Sequence, residues 1–155
     1  MRIGHGFDAH AFAEGRALML GGVGVPHDRG LAGHSDGDAL LHAIIDALLG
    51  AAALGDIGGM FPSSDERWRG AASIDLLAAA AHRVRDSGYR VINVDATVIA
   101  EYPRLAPHVD QMRQCIAGAL GIDITNVSVK PKTSDALGFT GRGEGIAAFA
   151  VALLE

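Results

Sequence analysis

Apolar and polar positions repeat along the chain with two different periods. Alternation with a period of two, together with short apolar runs, predicts four main strands. Residues 17–26 predict a short hairpin or a pair of edge strands around Gly21 and Gly22. The four main strand predictions cover residues 2–10, 89–100, 126–130 and 145–155.

Helical spacing of apolar residues recurs in three other segments. Ser35 or Asp36 is the predicted N-cap of the first helix, and Ser73 is the predicted N-cap of the second. The glycines and proline of residues 55–70 predict a loop without regular structure. The predicted helices cover residues 38–54, residues 73–87 and the segment that follows Pro107 as far as Leu120.

The order of these segments predicts one α/β domain, of the α+β type, over residues 1–155. We expect a mixed β-sheet covered by helices on one side, with its free face packed against other subunits. A chain of 155 residues that is 49% hydrophobic is long enough for one sizeable core and too short to expect two.

Charge and composition narrow the possible partners. The net charge of −5 and the lack of a basic run argue against nucleic acid as a partner. No apolar stretch has the length of a membrane span, and the first residues do not resemble a signal peptide, so we expect a cytoplasmic protein. Cys115 is the only cysteine, which excludes an intrachain disulfide and a cysteine-based zinc site within one chain.

Two titratable residues stand at alternate positions of the first predicted strand. Side chains of a strand alternate between faces, so Asp8 and His10 project together while His5 and Phe7 point the other way. The pair is placed to share a ligand. The alternative is that Asp8 only orients His10 through a hydrogen bond inside a core.

A second cluster lies on the first predicted helix. Asp38, His42 and Asp46 follow one another at intervals of four and share a helix face, yet residues 31–65 contain no Lys, Arg or Glu. Asp8, His10 and His42 together would supply one carboxylate and two imidazoles, a set that suits zinc, or manganese or iron, and leaves a coordination position open. Asp46 would then support the site. The alternative is that His42 is a core histidine with Asp46 as its partner.

The last quarter of the chain carries cations and hydroxyl groups among glycines. Such a segment can wrap phosphate oxygens with backbone N–H groups, although an ordinary glycine turn is equally compatible with the pattern. A metal site combined with phosphate donors is typical of phosphoryl transfer. The residues concerned are Lys130, Lys132, Thr133, Ser134, Asp135 and Arg142.

Four segments together resemble one family over nearly the whole chain. GHGFDAHAF, GLAGHSDGDALLHAIIDALLGAAALGDIG, FPSSD and LGFTGRGEG are similar to the 2-C-methyl-D-erythritol 2,4-cyclodiphosphate synthases of the non-mevalonate isoprenoid pathway. The resemblance implies a metal-dependent homotrimeric lyase with active sites between subunits. It implies conversion of 4-diphosphocytidyl-2-C-methyl-D-erythritol 2-phosphate to the cyclic diphosphate with release of CMP.

The resemblance also implies roles for individual residues. Asp8, His10 and His42 would bind zinc, Asp135 would bind magnesium, and no membrane or nucleic acid would be involved. His34, Thr133 and Asp46 would serve catalysis. The substrate-binding residues implied are Ser35, Asp56, Ile57, Gly58, Phe61, Pro62, Ser63, Ser64, Asp65, Ala100, Pro103, Arg104, Leu105, Ala106, Lys132, Ser134, Phe139 and Arg142.

Three positions differ from the pattern of the family. Asp135 stands where Glu is usual, Ser63 stands where Asp is frequent, and Tyr102 is bulkier than the expected small residue. Two other functions use the same residues. One is a different zinc-dependent phosphotransferase or hydrolase with water as the nucleophile, and the other is a non-catalytic trimer that binds metal and nucleotide.

Overall fold

A five-stranded mixed sheet forms the centre of the structure, a computed structural model that describes residues 1–155. The strand order is β4-β1-β7-β5-β6, and only β5 and β6 run parallel. A separate hairpin, β2–β3, confirms the predicted pair around Gly21 and Gly22. The strands are β1 (Arg2–Ala13), β2 (Leu18–Leu20), β3 (Val23–Val25), β4 (Gly30–Leu31), β5 (Val91–Ile99), β6 (Val127–Lys132) and β7 (Gly145–Leu154).

The helices cover one face of this sheet, as the sequence predicts. α1 packs on β1 and β7, α3 packs beside α1, and α4 packs on α3 and β6. None of these helices is both long and apolar enough to cross a membrane. The helices are α1 (Ala39–Ala52), α2 (Ile57–Met60), α3 (Ser73–Asp86), α4 (Val109–Leu120) and α5 (Gly138–Gly141).

Two glycines of β1 let α1 approach the sheet unusually closely. A Cβ atom at Gly4 would lie 1.9 Å from the carbonyl oxygen of Ala47, and one at Gly6 would lie 1.9 Å from that of Ala43. Gly4, Gly6 and Asp8 share a strand face because they are two residues apart. The next residue on that face after Gly6 is therefore held against α1.

The predicted N-cap of α1 was wrong by two or three residues, and that of α3 by one. Asp38 caps α1, accepting hydrogen bonds from the N–H of Leu41 at 3.1 Å and of Gly21 at 3.0 Å. Ala72 is the N-cap of α3, and Ser73 is its first helical residue. The side chains of Asp36 and Ser73 are instead hydrogen-bonded to each other, which leaves neither of them free to cap.

The segment predicted as an irregular loop contains some regular structure. Asp56 caps the short helix α2 by accepting a hydrogen bond from the N–H of Gly59 at 2.7 Å. A 3-10 turn follows at Glu66–Trp68. Short helices escape detection by periodicity because one turn contains too few residues to repeat.

Candidate metal centre and substrate pockets

Asp8, His10 and His42 form a compact cluster between β1 and α1. Asp8 Oδ2 lies 2.8 Å from His10 Nε2 and 3.0 Å from His42 Nδ1, and the two ring nitrogens are 3.1 Å apart. All three side chains therefore offer a ligand atom to one point. The prediction that the first strand and the first helix bring these residues together is confirmed.

The chemistry of the three donors fits a divalent cation. His42 Nε2 lies 2.9 Å from Ser73 Oγ and 3.1 Å from Ser35 Oγ. The remote nitrogen of the His42 ring is thus occupied, which directs its near nitrogen toward the Asp8 carboxylate. Such a set, with one carboxylate and two imidazoles, is typical of catalytic zinc.

Electrostatic interactions within this cluster keep the Asp8 carboxyl ionised. Burial opposes ionisation of Asp8, yet its close contacts with the His10 and His42 imidazoles outweigh burial and lower the pKa of the carboxyl well below its usual value. The hydrogen bond with Asp8 raises the pKa of His10 above its usual value, although burial opposes it. A carboxylate held ionised beside two imidazoles attracts a cation.

A cleft of about 370 Å³ opens next to the cluster. Two of its lining residues, Trp68 and Leu76, are absent from the sequence prediction. The Trp68 ring stands edge-on to Phe61 with centroids 5.0 Å apart, and these rings form an apolar wall. The cleft is also lined by His34, which was predicted to be catalytic, and by the predicted substrate-binding residues Ser35, Ile57, Gly58, Phe61, Pro62, Ser63 and Ser64.

Three acidic residues of the sequence prediction form hydrogen bonds within the segments beside this cleft. Asp46 Oδ1 accepts a hydrogen bond from the N–H of Ile57 at 2.7 Å, and so fixes the start of α2. Burial raises the pKa of Asp46. Asp56 caps the same helix, and Asp65 binds the Arg67 guanidinium, whose hydrogen bond lowers the pKa of that carboxyl.

A second pocket of about 380 Å³ lies at the ends of β5 and β6. It shares no lining residue with the first cleft. Its lining also includes Glu101, Tyr102 and Pro131, and the Tyr102 side chain is largely exposed at this pocket. The predicted residues that line it are Ala100, Pro103, Arg104, Leu105, Ala106, Lys132 and Thr133.

The remaining predicted residues lie in the segment that follows β6. Ser134 Oγ donates a hydrogen bond to the carbonyl of Leu137 at 2.7 Å. Asp135 is exposed with φ 50°, in the left-handed region, and its Oδ1 accepts a hydrogen bond from Thr133 Oγ1 at 3.2 Å. Phe139 is exposed, and Arg142 pairs with Glu144 at 2.7 Å. None of the four lines either pocket.

Comparison with known proteins places the chain in a family. The model of the YgbB family matches residues 1–155. The chain belongs to the YgbB family. The resemblance drawn from the four sequence segments is thereby confirmed, because the curated relatives of this YgbB chain carry the name 2-C-methyl-D-erythritol 2,4-cyclodiphosphate synthase.

Individual relatives cover this YgbB chain almost completely. The synthase of Marinobacter nauticus is 61% identical over 155 residues, which are 100% of this chain and 98% of that protein. A synthase solved in a CDP-bound form has a TM-score of 0.91 and 37% identity, covering 99% of this chain and 100% of its own. The bifunctional IspDF from Campylobacter jejuni has a TM-score of 0.95 and 43% identity, covering 99% of this chain but 42% of its own.

Proposed function

We propose that this YgbB protein converts 4-diphosphocytidyl-2-C-methyl-D-erythritol 2-phosphate to 2-C-methyl-D-erythritol 2,4-cyclodiphosphate in the non-mevalonate isoprenoid pathway. The observation that carries the proposal is the Asp8, His10 and His42 cluster at a cleft, in a chain 61% identical to a synthase of that name. An oxygen of the 2-phosphate forms a bond to the β-phosphorus. The bond from that phosphorus to the bridging oxygen breaks, and CMP leaves with the electron pair.

The proposed nucleophile does not have to be activated by a side chain. A phosphate oxygen is already ionised at neutral pH, so the reaction needs no strong general base. Asp8, His10 and His42 would hold a zinc ion. When bound, zinc supplies Lewis-acid polarisation of a phosphate oxygen and offsets its negative charge. His34, which lines the same cleft, would donate a hydrogen bond to a phosphoryl oxygen as the phosphorus becomes five-coordinate.

The second pocket suits the cytidine diphosphate end of the substrate. A relative has been solved with CDP bound, which supports a cytidine nucleotide as the ligand class. Thr133 and Lys132 line this pocket and can donate hydrogen bonds to phosphate oxygens. Asp135, two residues from Thr133, would hold a magnesium ion at the diphosphate, where the ion offsets charge on the leaving CMP.

Two features support assembly into a homotrimer with shared sites. The cleft that contains His34 and the pocket that contains Thr133 share no lining residue, which fits a substrate that contacts the cleft of one subunit and the pocket of its neighbour. The sheet face opposite the helices also exposes the apolar side chains of Ile3, Phe7 and Phe149. Large exposed apolar patches are typical of interfaces between proteins.

The direct test is turnover of the purified protein with the proposed substrate. CMP release and the phosphorus NMR spectrum of the product are measured before chelation, after chelation and after zinc is restored. We expect chelator-sensitive CMP release and a cyclic diphosphate. A linear hydrolysis product would indicate the hydrolase alternative, and absence of turnover in the zinc-restored protein would overturn the proposed reaction.

A further inference from the structure

A chain of hydrogen bonds runs away from the metal cluster behind His42. His42 Nε2 lies 2.9 Å from Ser73 Oγ, and Ser73 Oγ in turn contacts Asp36 Oδ1. Asp36 belongs to the loop before α1, and Ser73 begins α3. Ser73 is fully buried and His42 is 8% exposed, so the hydroxyl and the ring interact with each other rather than with solvent.

The direction of these hydrogen bonds follows from the groups present. An ionised carboxylate only accepts, so Asp36 Oδ1 must take the hydroxyl hydrogen of Ser73. Ser73 Oγ then has only lone pairs left for the ring, so His42 Nε2 carries a hydrogen, which it shares between Ser73 Oγ at 2.9 Å and Ser35 Oγ at 3.1 Å. Nδ1 of the neutral ring is therefore left without a hydrogen, and it faces Asp8 and His10.

Backbone hydrogen bonds hold the Asp36 end of this chain in place. The N–H of Ser73 donates to Asp36 Oδ2 at 3.0 Å, and the N–H of Asp38 donates to Asp36 Oδ1 at 3.2 Å. The N–H of Asp36 donates to the carbonyl of Ala71 at 3.1 Å. Asp36 is thus fixed by the loop before α1 and by the start of α3. Asp46, the partner that helical spacing suggests for His42, instead bonds the N–H of Ile57.

We infer that Asp36 and Ser73 are positioning residues that hold His42 in the tautomer with hydrogen on Nε2 and so direct its Nδ1 lone pair at the metal. The inference rests on the metal site of the proposed function, not on the reaction itself. Partners of this kind orient a ligating histidine, and their loss typically lowers metal affinity about 10–100-fold. Neither residue is required to touch the substrate.

The test measures zinc affinity of the full chain by competition with a chelating dye. Ser73→Ala removes the hydroxyl, and we expect zinc affinity to fall about 10–100-fold. Asp36→Asn preserves volume but replaces one of the two accepting oxygens by an NH2 group. That group faces either the N–H or the hydroxyl of Ser73, both of which donate, so zinc affinity should fall here too. Ser87→Ala is the matched control, because Ser87 Oγ donates to the Val84 carbonyl at 2.8 Å at the other end of α3.

A second readout separates orientation from general structure. In the zinc-loaded protein, the His42 Nε2–H should give a proton–nitrogen NMR signal that exchanges slowly with water, and Ser73→Ala should abolish that protection. Wild-type affinity together with a protected signal in Ser73→Ala would overturn the inference. If that variant does not fold by circular dichroism, Asp36→Asn decides: unchanged zinc affinity there overturns the inference and a loss supports it. Zinc binding without turnover in the wild type would instead contradict the proposed reaction alone.

Discussion

Gly6 of β1 lies directly beneath Ala43 of α1, at a separation that leaves no room for a side chain. A Cβ atom at Gly6 would lie 1.9 Å from the Ala43 carbonyl oxygen. Asp8 follows two residues later on the same strand face, and His42 precedes Ala43 on the helix. The close approach of the two backbones is therefore what brings the carboxylate within 3.0 Å of the imidazole.

Gly6→Ala should damage both stability and metal binding. The added methyl group meets backbone rather than a flexible side chain, so α1 must move away from β1. We expect the free energy of unfolding to fall by about 3 kcal/mol, as for severe overpacking. We also expect zinc affinity to fall, because His42 moves with the helix. Urea unfolding and zinc titration measure the two effects.

Gly50→Ala is the matched control, placed on α1, the helix that Gly6 contacts. A Cβ atom at Gly50 would contact nothing within 4 Å, and Ala is favoured over Gly in a helix interior. Its free energy of unfolding should rise by about 0.5–1 kcal/mol with unchanged zinc affinity. Equal stability of Gly6→Ala and wild type would show that the contact between β1 and α1 adapts easily.

His42→Ala should abolish zinc binding and turnover while the chain stays folded. The loss of affinity should exceed the roughly 100-fold that is typical of removing a partner behind the ligand, because a ligand itself is removed. His82→Ala serves as the control, since His82 is an exposed histidine of α3 that pairs with Asp86 at 3.0 Å. Zinc content and CMP release are measured for both variants, and full activity of metal-free His42→Ala would exclude the proposed metal chemistry.

Much of the metal cluster could be predicted because it depends on local periodicity. Strand alternation places Asp8 and His10 on one face, and the residue types identify the donors. His42 could be placed on a helix, but nothing in the spacing shows which carboxylate its far nitrogen meets. Helical spacing favoured Asp46, whereas the hydrogen-bonded chain leads through Ser73 to Asp36.

The features of the site that were not predicted depend on contacts between residues that are distant in sequence. Asp36 and Ser73 are 37 residues apart, and their hydrogen bond exists only because α3 packs beside α1. Local sequence patterns do not show which distant residues form a hydrogen bond, so both residues were interpreted as helix caps. Trp68 was missed for the same reason, since its place beside Phe61 depends on how residues 55–70 fold over the cleft.

Asp135→Asn should raise the magnesium concentration needed for half-maximal CMP release while zinc binding stays unchanged. Asn tolerates the left-handed backbone at this position, φ 50°, so the change removes charge without adding strain. Loss of a charged interaction worth about 1.5–3 kcal/mol corresponds to a shift of roughly 10–100-fold. Asp28→Asn is the control because the Asp28 side chain is 81% exposed and outside both pockets.

The two metals are separated by measuring both in the same variant. Magnesium titrations of CMP release and zinc content are determined for Asp135→Asn, Asp28→Asn and wild type. Zinc loss in Asp135→Asn comparable to that in His42→Ala would contradict the assignment of separate sites. A magnesium dependence identical to that of wild type would remove Asp135 from the proposed site.

Phe149→Lys should break the proposed trimer and, with it, activity. Phe149 lies opposite Phe7 in the register of β1 and β7, with ring centroids 4.9 Å apart, on the sheet face that no helix covers. A charge buried without a partner in an interface is costly, so the variant should sediment as a monomer. Gln114→Lys adds the same charge at an exposed position of α4 and should keep the wild-type assembly.

The monomer produced by Phe149→Lys also tests the shared site. Because the cleft with His34 and the pocket with Thr133 share no lining residue within one chain, a folded monomer should still bind zinc but release no CMP. A fully active monomer would contradict the shared site.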